Sequence, residues 1–150
     1  MYTEKEPIMK CPDSEILWEQ YYQLRYDVLR KPWQQAAGSE IDPSDDSPQT
    51  THAAALVNNE LVAVGRLHLV DADTAQVRYM AVSPAHQGKG MGGKVLQHLE
   101  NEGKKQGVKK IIVQARKNAI NFYLKHGYTI TGEGILLFGV IPHKWMEKNI

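Results

Sequence analysis

Gln87-Gly88-Lys89-Gly90-Met91-Gly92-Gly93 carries the densest chemical signal in this chain. It follows an apolar, strand-like run ending at Val82 and leads into a helical pattern of Val95, Leu96 and Leu99. A glycine-rich turn entering a helix points several backbone N–H groups outward, with the positive end of the helix dipole behind them. Glycine reaches φ values closed to residues with a Cβ, and it leaves no side chain in the path of a phosphate. The segment predicts a cradle for a phosphate or pyrophosphate group.

Three readings of the residues compete. Gly88 to Lys94 fits the G-x-x-x-x-G-K frame of a nucleotide-binding P-loop. Val95 then stands where a Ser or Thr hydroxyl would hold Mg²⁺, which disfavours nucleoside-triphosphate hydrolysis. Gly88, Gly90 and Gly93 also fit G-x-G-x-x-G. A dinucleotide site would need a parallel βαβ setting and an acidic ribose partner about 20 residues further on. The strands before the loop read instead as an antiparallel meander, and residues 109–117 are basic or apolar. The third reading is a glycine-rich helix entry that holds no ligand.

The elements that must position this loop are legible from periodicity. Residues 1–12 read as a loose arm. Leu17, Tyr21, Leu24 and Val28, spaced four, three and four apart, predict an amphipathic helix from Ser14 to about Arg30. Lys31 to Thr51 is polar, rich in Pro and Asp, and long for a loop in a compact domain, which points to function. Strands are predicted at His52–Asn58 and Glu60–Val70, joined by a tight turn at Asn58-Asn59, with a third at Ala75–Val82. A helix from Gly90 to Gln106 follows, stopped by Gly107. A strand at Lys110–Ala115, a helix at Asn118–His126 and strands at Tyr128–Thr131 and Leu137–Met146 complete the chain. The sum is an α/β domain: a meander, a strand–helix–strand crossover, then a helix and a closing strand pair.

Composition bounds the function. The 150 residues, 42% of them hydrophobic, suit one domain over residues 1–150. A formal charge of +1 gives no footprint for nucleic acid or an anionic membrane. Cys11, the one cysteine, cannot form an internal disulfide, and the charged start Met1–Glu6 lacks the apolar core of a signal peptide. The stretch from Gly134 to Ile141 is too short to span a bilayer. A cytoplasmic protein is expected.

A resemblance covers far more of the chain than the loop alone. Gln87-Gly88-Lys89-Gly90-Met91-Gly92 resembles the acetyl-CoA pyrophosphate loop, Q/R-x-x-G-x-G/A, of the GNAT superfamily of N-acetyltransferases. Val77 to Pro84 resembles that family's fourth strand and its exit. Arg116 to Tyr128, with Ala119, Phe122, Tyr123 and Gly127, is similar to its A-x-x-F-Y-x-x-x-G-[FY] motif. The resemblance implies a mixed, mostly antiparallel sheet flanked by helices and splayed between strands 4 and 5. It implies acetyl-CoA in the gap, the pantetheine arm against the backbone of Met80, Ala81 and Val82, and the pyrophosphate on amides of Gly88, Lys89, Gly90, Met91, Gly92 and Gly93. Lys89 and Lys94 would add charge or remain solvated surface lysines.

Direct acetyl transfer needs a deprotonated amine, a polarised carbonyl and a proton donor for the leaving thiolate. The resemblance implies that Tyr123 is this donor; packing on a helix face is the structural alternative. Many members carry a glutamate where this chain has Gln76, and an amide cannot serve as a base. Asn118 would contact the cofactor or cap a helix. A second resemblance, to the ElaA-like branch, rests on Leu24-Arg25-Tyr26-Asp27-Val28-Leu29, Glu40, Asp42, Asp46, His52 and the closing Ile141-Pro142-His143-Lys144-Trp145-Met146. It implies that Arg25, Glu40, Asp42, His52 and His143 converge on the acceptor pocket. Acids there would attract a cationic amine, and His143, near its reference pKa of about 6.5, would be a base. Locally, Arg25 has Glu40 or Asp42 to pair with, and His52 and His68 read equally as strand-face histidines. No ligand spacing recurs that suggests a metal site.

The expected function is transfer of an acetyl group from acetyl-CoA to a primary amine of a small molecule or peptide, within a ternary complex. An acyl-homoserine-lactone-synthase-like enzyme and a non-catalytic acyl-CoA-binding module are the alternatives. Neither nucleic acid nor membrane is expected as a partner, and a homodimer is compatible with the resemblance.

Overall fold

A computed structural model describes residues 6–150 of the chain. Its elements run β1 (Ile8–Lys10), α1 (Glu15–Leu29), β2 (Thr50–Val57), β3 (Glu60–Leu69), β4 (Thr74–Val82), α2 (Met91–Lys105), β5 (Lys110–Arg116), α3 (Ile120–Lys125), β6 (Thr129–Leu137) and β7 (Ile141–Asn149). The strands form one mixed sheet in the order β1-β2-β3-β4-β5-β7-β6. Among the described residues, only β4 and β5 pair in parallel. This is the expected α/β fold, a meander followed by a crossover.

Two elements differ from expectation. The arm is not loose throughout, since Ile8–Lys10 pairs antiparallel with Leu56, Ala55 and Ala54 of β2. Three residues are too few for strand alternation to show in sequence. Of the charged start, all but Glu6 lies outside the described residues. The closing strands are also shifted, because Phe138 and Gly139 take left-handed backbone at φ 54° and 71°. That corner ends β6 at Leu137 and lets β7 run to Asn149. The Asn58-Asn59 turn is as expected, with φ 51° and 65°, the pair of positive values a tight hairpin requires.

The two faces of the sheet are covered by different helices. On one face α2 and α3 bury Val95, Leu99 and Tyr123 against Val77, Val113 and Ala115. On the other, α1 buries Tyr21 and Leu29 against Ala54, Val64 and Ala81. Ser14 caps α1, its side chain accepting from the Leu17 amide at 3.2 Å. The buried positions of α1 are Tyr21, Arg25 and Leu29, four apart, so a guanidinium lies in the middle of its inner stripe. Among the described residues no helix is long and apolar enough to cross a membrane.

The sheet splits where β4 and β5 part. Their pairing runs from Thr74 opposite Lys110 to Val77 opposite Val113 and then stops. Beyond it β5 continues along β7 to the pair Arg116–His143, while β4 stays with β3 to the pair Val82–Ala63. A bulge in β4 accompanies the parting. Val64 faces Ala81 and Arg66 faces Arg78, so Gly65 opposes both Tyr79 and Met80. Tyr79 sits in left-handed backbone at φ 59°. A bulge bends its strand and shifts the phase of its side chains. Tyr79 and Ala81 accordingly face α1, while Met80 and Val82 face α2.

Candidate active site

The split opens into a cleft of about 620 Å³ with two unlike walls. The α2/α3 wall presents Met80, Val82, Gln87, Gly88, Gly92, Asn118, Phe122 and Tyr123. The α1 wall presents Arg30, Trp33, Gln76, Arg78, Tyr79, Gln114, Arg116 and His143. Alternation along β4, β5 and β7 sorts these residues. Gln114, Arg116 and His143 share a face because Arg116 and His143 are cross-strand partners.

On the first wall the glycine loop has the form predicted for an anion cradle. Gly88 and Gly90 take φ 77° and 81°, and Gly90 is the N-cap of α2. The first amides of α2 have no partner inside the helix and carry its positive dipole end. A Cβ at Gly92 would stand 3.4 Å from the Phe122 ring and 3.5 Å from Val82, so a larger side chain would extend into the cleft. Gln87 folds back to donate to the Val82 carbonyl at 3.1 Å, which closes the turn over the end of β4. Lys94 is engaged by Glu6 at 2.8 Å, and Lys89 is exposed in the turn. The unpaired edge of β4 beyond Val77 offers backbone groups to an extended ligand. The cradle and the free strand edge fit a long, phosphate-bearing ligand.

Tyr123 is 6% exposed, its ring edge-on to Phe122 at 5.0 Å and to Tyr128 at 5.4 Å. Burial pushes its phenol pKa well up, so the hydroxyl keeps its proton and is available as a donor. Asn118 lies on a 3-10 turn, Lys117–Ala119, and neither that turn nor α3 has a side-chain cap. Its side chain lines the cleft instead.

His143 faces the same cleft. Its Nδ1 lies 2.9 Å from the Ile141 carbonyl, which can only accept, so Nδ1 carries the proton and Nε2 holds the lone pair of the neutral ring. Burial lowers its pKa below the ordinary histidine value; the Arg116 charge adds to this, and the Ile141 and Ile135 carbonyls oppose it. Gly134 of β6 fits tightly over it. A Cβ there would stand 2.7 Å from Gln114 Oε1 and 3.0 Å from the His143 Cβ. Gln114 holds that stretch of β6 by accepting from the Ile135 amide at 2.9 Å.

Arg25, Glu40, Asp42 and His52, expected around the acceptor, do not line the cleft. Three of them join a buried network whose centre is Asp45. Arg25 and Arg66 each reach an Asp45 oxygen at 2.8 Å, and Tyr22 donates to it at 3.0 Å. His52 donates from Nε2 to the Asp45 carbonyl at 2.9 Å and accepts from Tyr21 at Nδ1 at 2.8 Å, so both nitrogens are engaged. Burial holds it neutral, reinforced by the nearby Arg25 and Arg66 charges. Asp42 caps the 3-10 turn Pro43–Asp46 and accepts from Ser44, Tyr79 and Arg78. Burial would raise its pKa, but bonds from Ser44 and Tyr79 and the Arg66 charge hold it well below the usual range. Glu40 turns away to accept from the Gly38 amide at 2.9 Å.

Asp45, Arg66, Tyr79, Arg30, Trp33 and Arg116 were not anticipated as parts of this architecture. Arg66 did leave a signal, a charge inside the apolar run Val62–Leu67 that demands a buried partner. The others lie in the polar loop (Asp45, Trp33), at the ends of α1 and β5 (Arg30, Arg116) or at the β4 bulge (Tyr79), where no period marks them.

Comparison with known proteins follows the same lines. The model of the acetyltransferase (GNAT) family matches residues 17–128. The uncharacterized N-acetyltransferase YjcF of Bacillus subtilis (strain 168) is 28% identical over 137 residues, covering 91% of this chain and 95% of that protein. The fold resembles Escherichia coli ElaA, with TM-score 0.80, 23% identity, and 95% and 99% of the two chains covered. It also resembles an aminoglycoside 6'-N-acetyltransferase complexed with coenzyme A, with TM-score 0.81, 19% identity, and 95% and 96% covered.

Proposed function

The chain belongs to the acetyltransferase (GNAT) family, and on that premise we propose that it transfers an acetyl group from acetyl-CoA to a primary amine within a ternary complex. The observation that carries this reading is one cleft holding a glycine cradle at a helix N-terminus, an unpaired strand edge, a protonated phenol and a neutral imidazole. Acetyl-CoA supplies the acetyl group as an activated thioester.

The chain's own residues divide the remaining work. Amides from Gly88 to Gly93 hold the pyrophosphate, and the backbone of Met80, Ala81 and Val82 aligns the pantetheine arm. The Tyr123 hydroxyl gives its proton to the departing sulfur. His143 Nε2 takes a proton from the acceptor amine, a role that Gln76 cannot fill. Asn118 adds a contact to the cofactor. Arg25, Asp42 and His52 hold the α1–β2 connection in place behind Tyr79 and act on the acceptor only through that positioning. Release of free CoA from acetyl-CoA in the presence of an amine panel tests the reading. Amine-dependent release supports it, and its absence with every amine favours an acyl-CoA-binding module.

A further inference from the structure

The α1 wall of the cleft is basic. Arg30, Arg78 and Arg116 line it, and among the described residues no Asp or Glu does. Of the nearby acids, Asp45 is paired with Arg25 and Arg66 and Asp42 with Arg66, Arg78 and Tyr79, while Glu40 adds a favourable charge near Arg30 without pairing with it. Arg30 and Arg116 form no ion pair among the described residues. Both instead donate to one acceptor, the Leu29 carbonyl, each at 3.1 Å. Two guanidiniums therefore meet at a single neutral oxygen at the end of α1.

Both guanidiniums lie against aromatic rings. The Arg116 guanidinium lies 4.6 Å from the Trp33 ring centre. That of Arg30 lies between Phe138 at 5.4 Å and Tyr79 at 5.7 Å, and its Nε donates to the Ser39 carbonyl at 3.1 Å. Each guanidinium has five N–H donors, so most of those on Arg116 and about half of those on Arg30 remain for a ligand. Burial, followed by the Arg30 charge, brings the Arg116 pKa down to about 10. Bringing two like charges this close in a half-buried setting is costly, and a bound anion would relieve that cost.

We propose that the acceptor amine carries an oxyanion, a carboxylate or a phosphate, which Arg30 and Arg116 bind on the α1 wall. The assignment rests on the acetyl-transfer reading and narrows its substrate class to amino-acid-like or phosphorylated amines. It reverses the acidic acceptor pocket expected from the sequence. Polycationic amines are repelled by the same wall.

The test follows CoA release by the full chain with matched amines: each common amino acid against its amide, phosphoethanolamine against ethanolamine, and kanamycin as a polycation. The anionic member of the best pair is expected to exceed its neutral counterpart by roughly tenfold or more in kcat/KM. The carboxylate and phosphate arms show which oxyanion is used. Arg116→Gln, and independently Arg30→Gln, should bring that ratio toward one while calorimetric affinity for CoA changes less than about twofold. The proposal is overturned if neutral or polycationic amines are preferred, if no anionic amine releases CoA, or if the variants weaken CoA binding and leave the ratio intact. Turnover of neutral amines alone would overturn the oxyanion site and leave acetyl transfer standing, whereas failure to bind acetyl-CoA would remove both.

Discussion

The Tyr79 hydroxyl donates to the Asp42 carboxylate at 2.5 Å, tying the bulge of β4 to the turn that follows α1. Tyr79 holds φ 59°, and four guanidiniums lie within 4.3–5.7 Å of its ring centre. Left-handed backbone at a tyrosine costs on the order of 1–3 kcal/mol and persists only where its surroundings impose it. Tyr79→Phe keeps the ring and loses the strap, so stability should fall by about 2 kcal/mol in urea denaturation. A loss below about 0.5 kcal/mol would show that the cation–π contacts alone hold the bulge.

Tyr123→Phe separates proton donation from packing. Phenylalanine fills the same space between Phe122 and Tyr128, so the fold and the CoA affinity should be retained. Turnover should fall by roughly 100-fold, the usual scale for losing a general acid. Because burial raises the phenol pKa, the wild-type rate should show no loss of this donor as pH approaches 10.

His143 sets the acid limb of the pH profile. Its folded pKa lies below 6.5, so the imidazole is neutral and basic at pH 7 and protonates only in more acidic solution. In wild type, kcat/KM should rise with pH through a midpoint below about 6.5. His143→Gln should lower the rate by roughly 100-fold and abolish that limb, leaving only the titration of the amine itself.

The Asp45 network predicts how the fold fails in acid. Asp42 and Asp45 both have folded pKa values below their unfolded ones. A depressed carboxylate contributes fully above the unfolded value of about 3.9, and its contribution is lost as pH falls toward the folded value. The urea midpoint should be nearly flat from pH 7 to about 5 and drop steeply below about 4. Asp45→Asn leaves Arg25 and Arg66 buried without a counter-charge and should cost about 3 kcal/mol or more at pH 7.

Much of the fold was readable because periodicity reports burial directly. Val95 and Leu99 announced α2, the Asn58-Asn59 pair announced a hairpin, and the glycine loop announced the left-handed entry to α2 that lines one wall of the cleft. The α1 wall was silent for a physical reason. Arg30, Trp33 and Arg116 come from a helix end, a loop and a strand end, and they become neighbours only once the sheet has split. Arg25, Asp42 and His52 did stand out in sequence, yet geometry places them behind Tyr79, one layer from the cleft. The split coincides with a single extra residue in β4, opposite Gly65, which alternation alone cannot locate.

Acetyl transfer by this chain requires acetyl-CoA in the split with its pyrophosphate on the N-terminus of α2. Calorimetric titration of acetyl-CoA into wild type and Gly92→Val tests this most directly. Valine at this helix position is slightly more favourable than glycine, by a few tenths of a kcal/mol, so the fold should persist. Its branches would enter the space between Val82 and Phe122. Wild type should bind one acetyl-CoA per chain with micromolar affinity, about −8 kcal/mol, and Gly92→Val at least roughly tenfold more weakly. No binding by wild type at millimolar acetyl-CoA, or equal binding by both proteins, would contradict the account.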